Sequence, residues 1–147
     1  MSTFDESGVL TLDTVGNTVL TDNKFRYSFI TALLNSKLWS WYAYRFIFSK
    51  AIRTMDFDSY YLGKLPLPLI DFENPEELKL HDKLVALAAK MLKLNKRLAS
   101  IGNVSSDERD KLTREIESTN AEIGQKVYDL YRLTEKERQI IEASFGN

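Results

Sequence analysis

The sequence contains no cysteine and a single histidine, His81. Without thiols there are no disulfides, no thiolate metal sites and no cysteine nucleophile. One imidazole cannot by itself assemble a metal cluster. Long apolar runs are also missing: nothing approaches the roughly 18 consecutive apolar residues of a membrane span. The opening Met-Ser-Thr-Phe-Asp-Glu-Ser-Gly has neither the basic region nor the apolar region of a secretory signal. The expectation is a soluble, cytoplasmic chain with no membrane partner. An excess of one charge is absent too. Twenty Lys and Arg stand against 21 Asp and Glu, a net charge of −1, so any nucleic-acid binding has to come from a local patch. The six glycines are scattered. Gly63-Lys64 lacks the preceding glycine and the following Ser or Thr of a phosphate-binding loop.

What remains is ordinary globular material: 147 residues, 44% hydrophobic and 28% charged, enough for one domain or for a small globular part with a helical extension. Residues 9–15 alternate loosely, Gly16-Asn17 follows, and 18–21 alternate again, which predicts a β-hairpin. From Asp22 or Asn23, either able to cap a helix, apolar residues recur at Phe25, Phe29, Ala32, Leu33, Ser36 and Trp39 with helical spacing. Residues 39–48 are apolar on nearly all sides, so this stretch is expected to be deeply buried or covered by a partner. Periodicity is lost over 49–61. In Leu62-Gly63-Lys64-Leu65-Pro66-Leu67-Pro68-Leu69-Ile70 two alternating prolines forbid a helix, and an edge strand is expected.

Asn74-Pro75-Glu76-Glu77 is a strong helix start. Beyond it Leu80, Leu84, Leu87, Met91, Leu94, Leu98 and Ile101 form an unbroken heptad seam. Gly102-Asn103-Val104 ends that helix, and Ser105 with Glu108 has the form of a capping box opening the next. The second helix carries Leu112, Ile116, Ile123, Val127, Leu130 and Tyr131, with Thr119 weakening the seam. Two such helices joined by a short loop fold back antiparallel. Lys79, Lys83, Lys90, Lys93 and Lys96 then face acids such as Glu115 and Glu122. A second box, Thr134 to Glu137, opens a short last helix. The expected class is α+β: a small mixed domain over residues 1–73 with a hairpin and an edge strand, then a coiled-coil-like helical hairpin over 74–147. A homodimer through that hairpin stays open.

No catalytic, cofactor or metal signature stands out. The Asn-Pro-Pro-Tyr motif of adenine amino-methyltransferases and the His-Glu-x-x-His zinc pattern are both missing. The chain is too short for a methyltransferase or nuclease domain plus a recognition domain. His81, beside Asp82 early in the heptad helix, reads as a solvated or packed helix residue. Asp56 and Asp58 lack the companion carboxylates of a nuclease metal site. The aromatic run Trp39, Trp41, Tyr42, Tyr44, Phe46 and Phe48 reads as core and interface before it reads as a base-stacking platform, and Tyr60 and Tyr61 are ambiguous. Arg45, Lys50, Arg53 and Lys64 are more pointed, since they lie in or beside the one irregular stretch with few acids near them.

Three segments in order carry a family resemblance. Thr31-Ala32-Leu33-Leu34-Asn35-Ser36-Lys37-Leu38-Trp39 resembles the Leu-Leu-Asn-Ser-Lys-Leu helix of the C-terminal target-recognition domain, the TaqI-like specificity domain, of type IIG restriction–modification enzymes and related adenine-N6 DNA methyltransferases. Tyr61-Leu62-Gly63-Lys64-Leu65-Pro66-Leu67-Pro68 resembles the Leu-Pro-Ile-Pro strand that closes it. Ile116-Glu117-x-Thr119-x-x-Glu122-Ile123-x-x-x-Val127-Tyr128-x-Leu130-Tyr131-x-Leu133-Thr134-Glu135 is similar to the helix that follows, with Arg132 where a glycine is usual. The resemblance implies the distal part of a larger polypeptide, binding double-stranded DNA without chemistry of its own and docking to a catalytic methyltransferase or nuclease domain or subunit. It points to Ser49, Lys50, Arg53 and Thr54 for DNA, with Arg45 and Lys64 as phosphate contacts. Arg can fork onto guanine, whereas Lys on a phosphate positions without reading sequence. The rival expectation is a helical-hairpin module for protein–protein interaction or dimerisation.

Overall fold

The computed structural model describes residues 2–4, 18–49, 59–102 and 106–146. Within them the chain forms α1 (Tyr27–Leu34), α2 (Lys37–Tyr42), a π-helix (Ala43–Ile47) continuing α2, α3 (Ser59–Leu62), α4 (Pro75–Ser100), α5 (Asp107–Leu130) and α6 (Glu135–Ala143). Helices hold 68% of the described residues and no strand occurs among these, so the class is helical and the α+β expectation is overturned.

Both expected β elements fail for identifiable reasons. The edge strand finds no strand to pair with among the described residues. Pro66 and Pro68 have no N–H to give, the Leu67 N–H turns back onto the Leu65 carbonyl at 2.9 Å, and the Pro66 carbonyl accepts from the Tyr131 hydroxyl at 2.6 Å. The segment is irregular, with Leu69 fully in solvent. Of the expected hairpin, residues 9–17 lie outside the described residues. Residues 18–21 form no ladder, and the Leu20 N–H reaches the Tyr27 hydroxyl at 3.4 Å instead.

The first helical stretch begins later than expected and is broken. Asp22 accepts from the Lys24 N–H at 2.9 Å in a local turn, and the first helix starts only at Tyr27, with Arg26 as an N-cap that makes no side-chain bond. Asn35 ends α1, its amide spanning the Thr31 carbonyl and Ser2 at 2.9 Å each. Ser36 then restarts the helix by accepting from the Trp39 N–H at 3.3 Å. Short polar side chains that bond their own backbone compete with helix continuation at such points.

The helical hairpin follows the sequence closely. Asn74 caps α4 by accepting from the Glu76 N–H at 3.0 Å, with Pro75 in the first turn. Ser106, one residue after the expected Ser105, caps α5. Ser105 itself lies outside the described residues. Glu108 pairs with Arg97 at 2.5 Å, the outermost rung of a ladder continued by Lys90–Glu115 at 2.9 Å and Lys83–Glu122 at 2.7 Å. Each rung is one heptad back on α4 and one heptad forward on α5, which fixes the antiparallel register. Thr119 does not leave a gap. It is 2% exposed, and its hydroxyl donates to the Glu115 carbonyl at 2.7 Å.

One core joins the residues on both sides of position 73. Phe29, Ala32 and Leu33 of α1 meet Leu84, Leu87 and Ala88 of α4, while Leu38, Trp39 and Ala43 meet Val127 and Tyr128 of α5 and Ile141 of α6. Burial of the Phe, Leu, Val and Ile side chains among them contributes about 1.5–3 kcal/mol each. The capping box expected at Thr134 and Glu137 is present, and α6 is held in place by Lys37–Glu142 at 2.5 Å and by the Tyr128 hydroxyl donating to Glu142 at 2.7 Å. No helix among the described residues is long and apolar enough to cross a membrane.

Candidate nucleic-acid interface

The irregular stretch singled out by the sequence starts where the π-helix ends. π-Helical turns are rare and recur at functional sites because they re-aim side chains. Here the turn is closed by the Phe48 N–H donating to the Ala43 carbonyl at 2.9 Å. It leaves Tyr44, Arg45 and Phe46 exposed while Ala43 stays buried. The stretch expected to be deeply buried or covered by a partner therefore shows a solvent face in the single chain. Ser49 follows with φ +50°, a left-handed conformation that L residues rarely adopt.

Residues 50–58 lie outside the described residues, and with them Lys50, Arg53, Thr54, Asp56 and Asp58. Their two flanks meet. Phe48 and Tyr61, on either side of residues 50–58, pack with ring centroids 4.9 Å apart. On the far flank Tyr60 and Tyr61 are 5.2 Å apart, and the Lys64 ammonium sits over Tyr60 at 4.0 Å and over Tyr61 at 5.4 Å. Ser49 and Lys64 thus belong to one neighbourhood. Arg45 stands one π-helical turn earlier, its guanidinium 5.5 Å from the Trp41 ring. It lines a shallow groove of about 500 Å³ between the π-helix and α6, where Ile140 and Phe145 form the opposite wall.

Charge is divided unevenly. Residues 18–67 hold seven bases and three acids, after a leading stretch with three acids and no base. Of the described bases in 18–67, only Lys37 makes an ion pair with a described carboxylate. Lys24, Arg26, Arg45 and Lys64 make none. On the hairpin Lys83, Lys90 and Arg97 are paired with acids, while Lys79, Lys93, Lys96, Arg109, Lys111 and Arg114 pair with no described carboxylate.

His81 is a packed helix residue. It is 3% exposed, its ring 4.7 Å from Phe29 and 5.4 Å from Phe72, with Nδ1 3.0 Å from Asp82 Oδ1 and Nε2 without a partner. Among the described residues no cluster of His, Asp or Glu could hold a metal ion.

Sequence reasoning missed two features beside the interface. Tyr131 joins three segments: its hydroxyl accepts from the Trp39 indole N–H at 2.7 Å and donates to the Pro66 carbonyl. Burial pushes that hydroxyl up to about 12. Arg132 has φ +54° at the end of α5, with the Leu133 N–H on the Tyr128 carbonyl and the Arg132 N–H on the Asp129 carbonyl, each at 3.0 Å. That is the helix end at which glycine is favoured, which accounts for the glycine usual at this position in the resembling family. Periodicity marked Tyr131 as one more apolar position of the second helix and not as a hydrogen-bonding one, and the left-handed turn was visible only as a departure from the family pattern.

Comparison with known proteins agrees with the first two of the three resembling segments. Residues 1–67 match the family model of the TaqI-like C-terminal specificity domain. The match stops before the third segment. No curated protein and no solved structure matches the chain. The matched family is one of specificity domains, typically non-catalytic, which points to DNA sequence recognition in restriction–modification enzymes. Over residues 1–67, which hold the Ser36-capped helix and the packed pair Phe48 and Tyr61, the chain is similar to the TaqI-like C-terminal specificity domain.

Proposed function

We propose that this chain is a DNA target-recognition module of a restriction–modification enzyme or adenine-N6 DNA methyltransferase, contributing site binding while a separate domain or subunit does the chemistry. The observation that carries the reading is the family match over 1–67, a segment in which Lys24, Arg26, Arg45 and Lys64 pair with no described carboxylate. In this reading residues 49–64 face the duplex. Ser49, Lys50, Arg53 and Thr54 approach the bases, and Arg45 and Lys64 meet phosphates. In this reading the helical hairpin serves as a stiff spacer, its register fixed by the Lys83–Glu122, Lys90–Glu115 and Arg97–Glu108 pairs.

A second role is favoured by the groove between the π-helix and α6. Tyr44, Phe46, Ile140 and Phe145 around it are each more than two-fifths exposed, an apolar surface suited to a protein partner such as the catalytic module. Electrophoretic mobility of a 30-base-pair duplex with the full chain tests the leading reading. Retardation that fades with added salt, and with Lys50→Ala or Arg53→Ala, supports it. No retardation at any salt, together with a sedimentation coefficient that rises with concentration, contradicts it in favour of a self-associating scaffold.

A further inference from the structure

α3 and the turn behind it divide into an inner and an outer face. Tyr61 packs on Phe48, Leu62 lies against the core and Leu65 is buried, whereas Tyr60, Gly63 and Lys64 are exposed. Positions 60, 63 and 64 stand at helical neighbour spacing. One outward face therefore carries an aromatic ring, a residue without a side chain and an ammonium group. The backbone beneath is held by the Lys64 N–H on the Tyr61 carbonyl and the Leu65 N–H on the Leu62 carbonyl, each at 3.1 Å. Tyr60 is 67% exposed, yet the Lys64 ammonium rests 4.0 Å from its centroid. The described lysine ion pairs all lie elsewhere, at Lys37, Lys83, Lys90 and Lys126.

Resting on the DNA-recognition reading, we infer that Tyr60 and Lys64 act as one grip on a DNA strand. The ammonium meets a phosphate, and Tyr60 is the positioning residue that holds the ammonium in place and lays its exposed ring against the adjoining sugar. A lysine loses much rotamer freedom when it is fixed on a ligand. An ammonium already resting on an aromatic face has lost part of that freedom before binding, so less is lost on contact. Gly63 lets the strand approach the backbone between the two side chains.

The test is a double-mutant cycle on the full chain. Anisotropy of a fluorescein-labelled, random-sequence 30-base-pair duplex is followed at salt concentrations from about 50 to 200 mM. Lys64→Gln should make the slope of log affinity against log salt shallower by about 0.9, the contribution of one phosphate contact. Tyr60→Leu, which changes no charge, should weaken binding about two- to fivefold with Lys64 present and leave it almost unchanged in the Lys64→Gln background. Tyr60→Phe should bind as the parent does. Melting curves matching the parent's show that each variant is folded.

Equal weakening by Tyr60→Leu in both backgrounds, or an unmoved slope in Lys64→Gln, overturns the grip. So does equally tight binding of poly-L-glutamate carrying the charge of the duplex. If the parent chain fails to bind the duplex, the recognition reading itself fails. If the parent binds and Lys50→Ala weakens it while Tyr60→Leu does not, only the grip fails.

Discussion

The indole N–H of Trp39 and the hydroxyl of Tyr131 meet at 2.7 Å, and the same hydroxyl donates to the Pro66 carbonyl at 2.6 Å. One oxygen thereby ties the second helix and the Leu-Pro-Leu-Pro segment of the family-matched part to the end of the helical hairpin. Tyr131→Phe removes that oxygen and leaves an indole N–H and a carbonyl without their partner. A loss of about 1–3 kcal/mol is expected, read as a lower denaturant midpoint at unchanged slope. The tyrosine also sets an alkaline limit. Its folded value lies above the ordinary 10.0, at about 12, so its contribution is whole below about pH 10 and is lost as pH rises toward 12.

The salt-bridge ladder sets register more than stability. Lys90–Glu115 is nearly half exposed on both sides, so Lys90→Glu should lower stability by about 0.2–1 kcal/mol plus the repulsion of two acids. Adding Glu115→Lys should restore most of it. A double-mutant cycle by urea unfolding checks the coupling.

The last helix should loosen in acid. Lys126 and then Arg138 hold the Asp129 carboxyl below its ordinary 3.8, and Lys37 and then Tyr128 hold Glu142 below its ordinary 4.5. Both groups bind protons less readily in the fold than in the unfolded chain. The stability they supply is therefore present above the ordinary carboxylate values and is lost as pH falls below about 4. The Trp41 indole donates to Ser144 at 3.1 Å next to α6, so tryptophan emission should change over that range. Glu142→Gln should reduce the amplitude of the change.

Arg132→Gly should be neutral or stabilising by up to about 1 kcal/mol, because glycine accepts the left-handed backbone without strain. It removes only an exposed pair with Glu77 at 2.9 Å. Arg132→Val, a branched residue at φ +54°, should lower the melting temperature clearly. Thermal melts of the two variants beside the parent check the sign.

The hairpin was legible because heptad spacing, Asn74-Pro75 and the Thr134–Glu137 box are local signals that tertiary structure had no reason to override. The strands were misread. Alternation and paired prolines describe an extended chain, but whether such a chain joins a sheet depends on a neighbour, and Tyr131 occupies the Pro66 carbonyl instead. The break at Asn35-Ser36 was hidden inside a continuous apolar stripe, since side-chain-to-backbone bonds leave no mark on periodicity. At the interface the sequence marked the cations by charge. The Phe48–Tyr61 closure and the placement of Lys64 on Tyr60 link residues too far apart, or too ordinary in type, to be seen in it.

In the DNA-recognition reading the duplex meets residues 45–64 and not the helical hairpin. Amide shift perturbation of the isotope-labelled full chain by a 30-base-pair duplex, at low salt, tests it most directly. The account predicts that the largest changes fall on residues 45–64, including Ser49, Tyr60 and Lys64, with little change along the ladder from Lys83 to Arg97 and from Glu108 to Glu122. Changes concentrated on those two helices, with residues 45–64 unmoved, would contradict it.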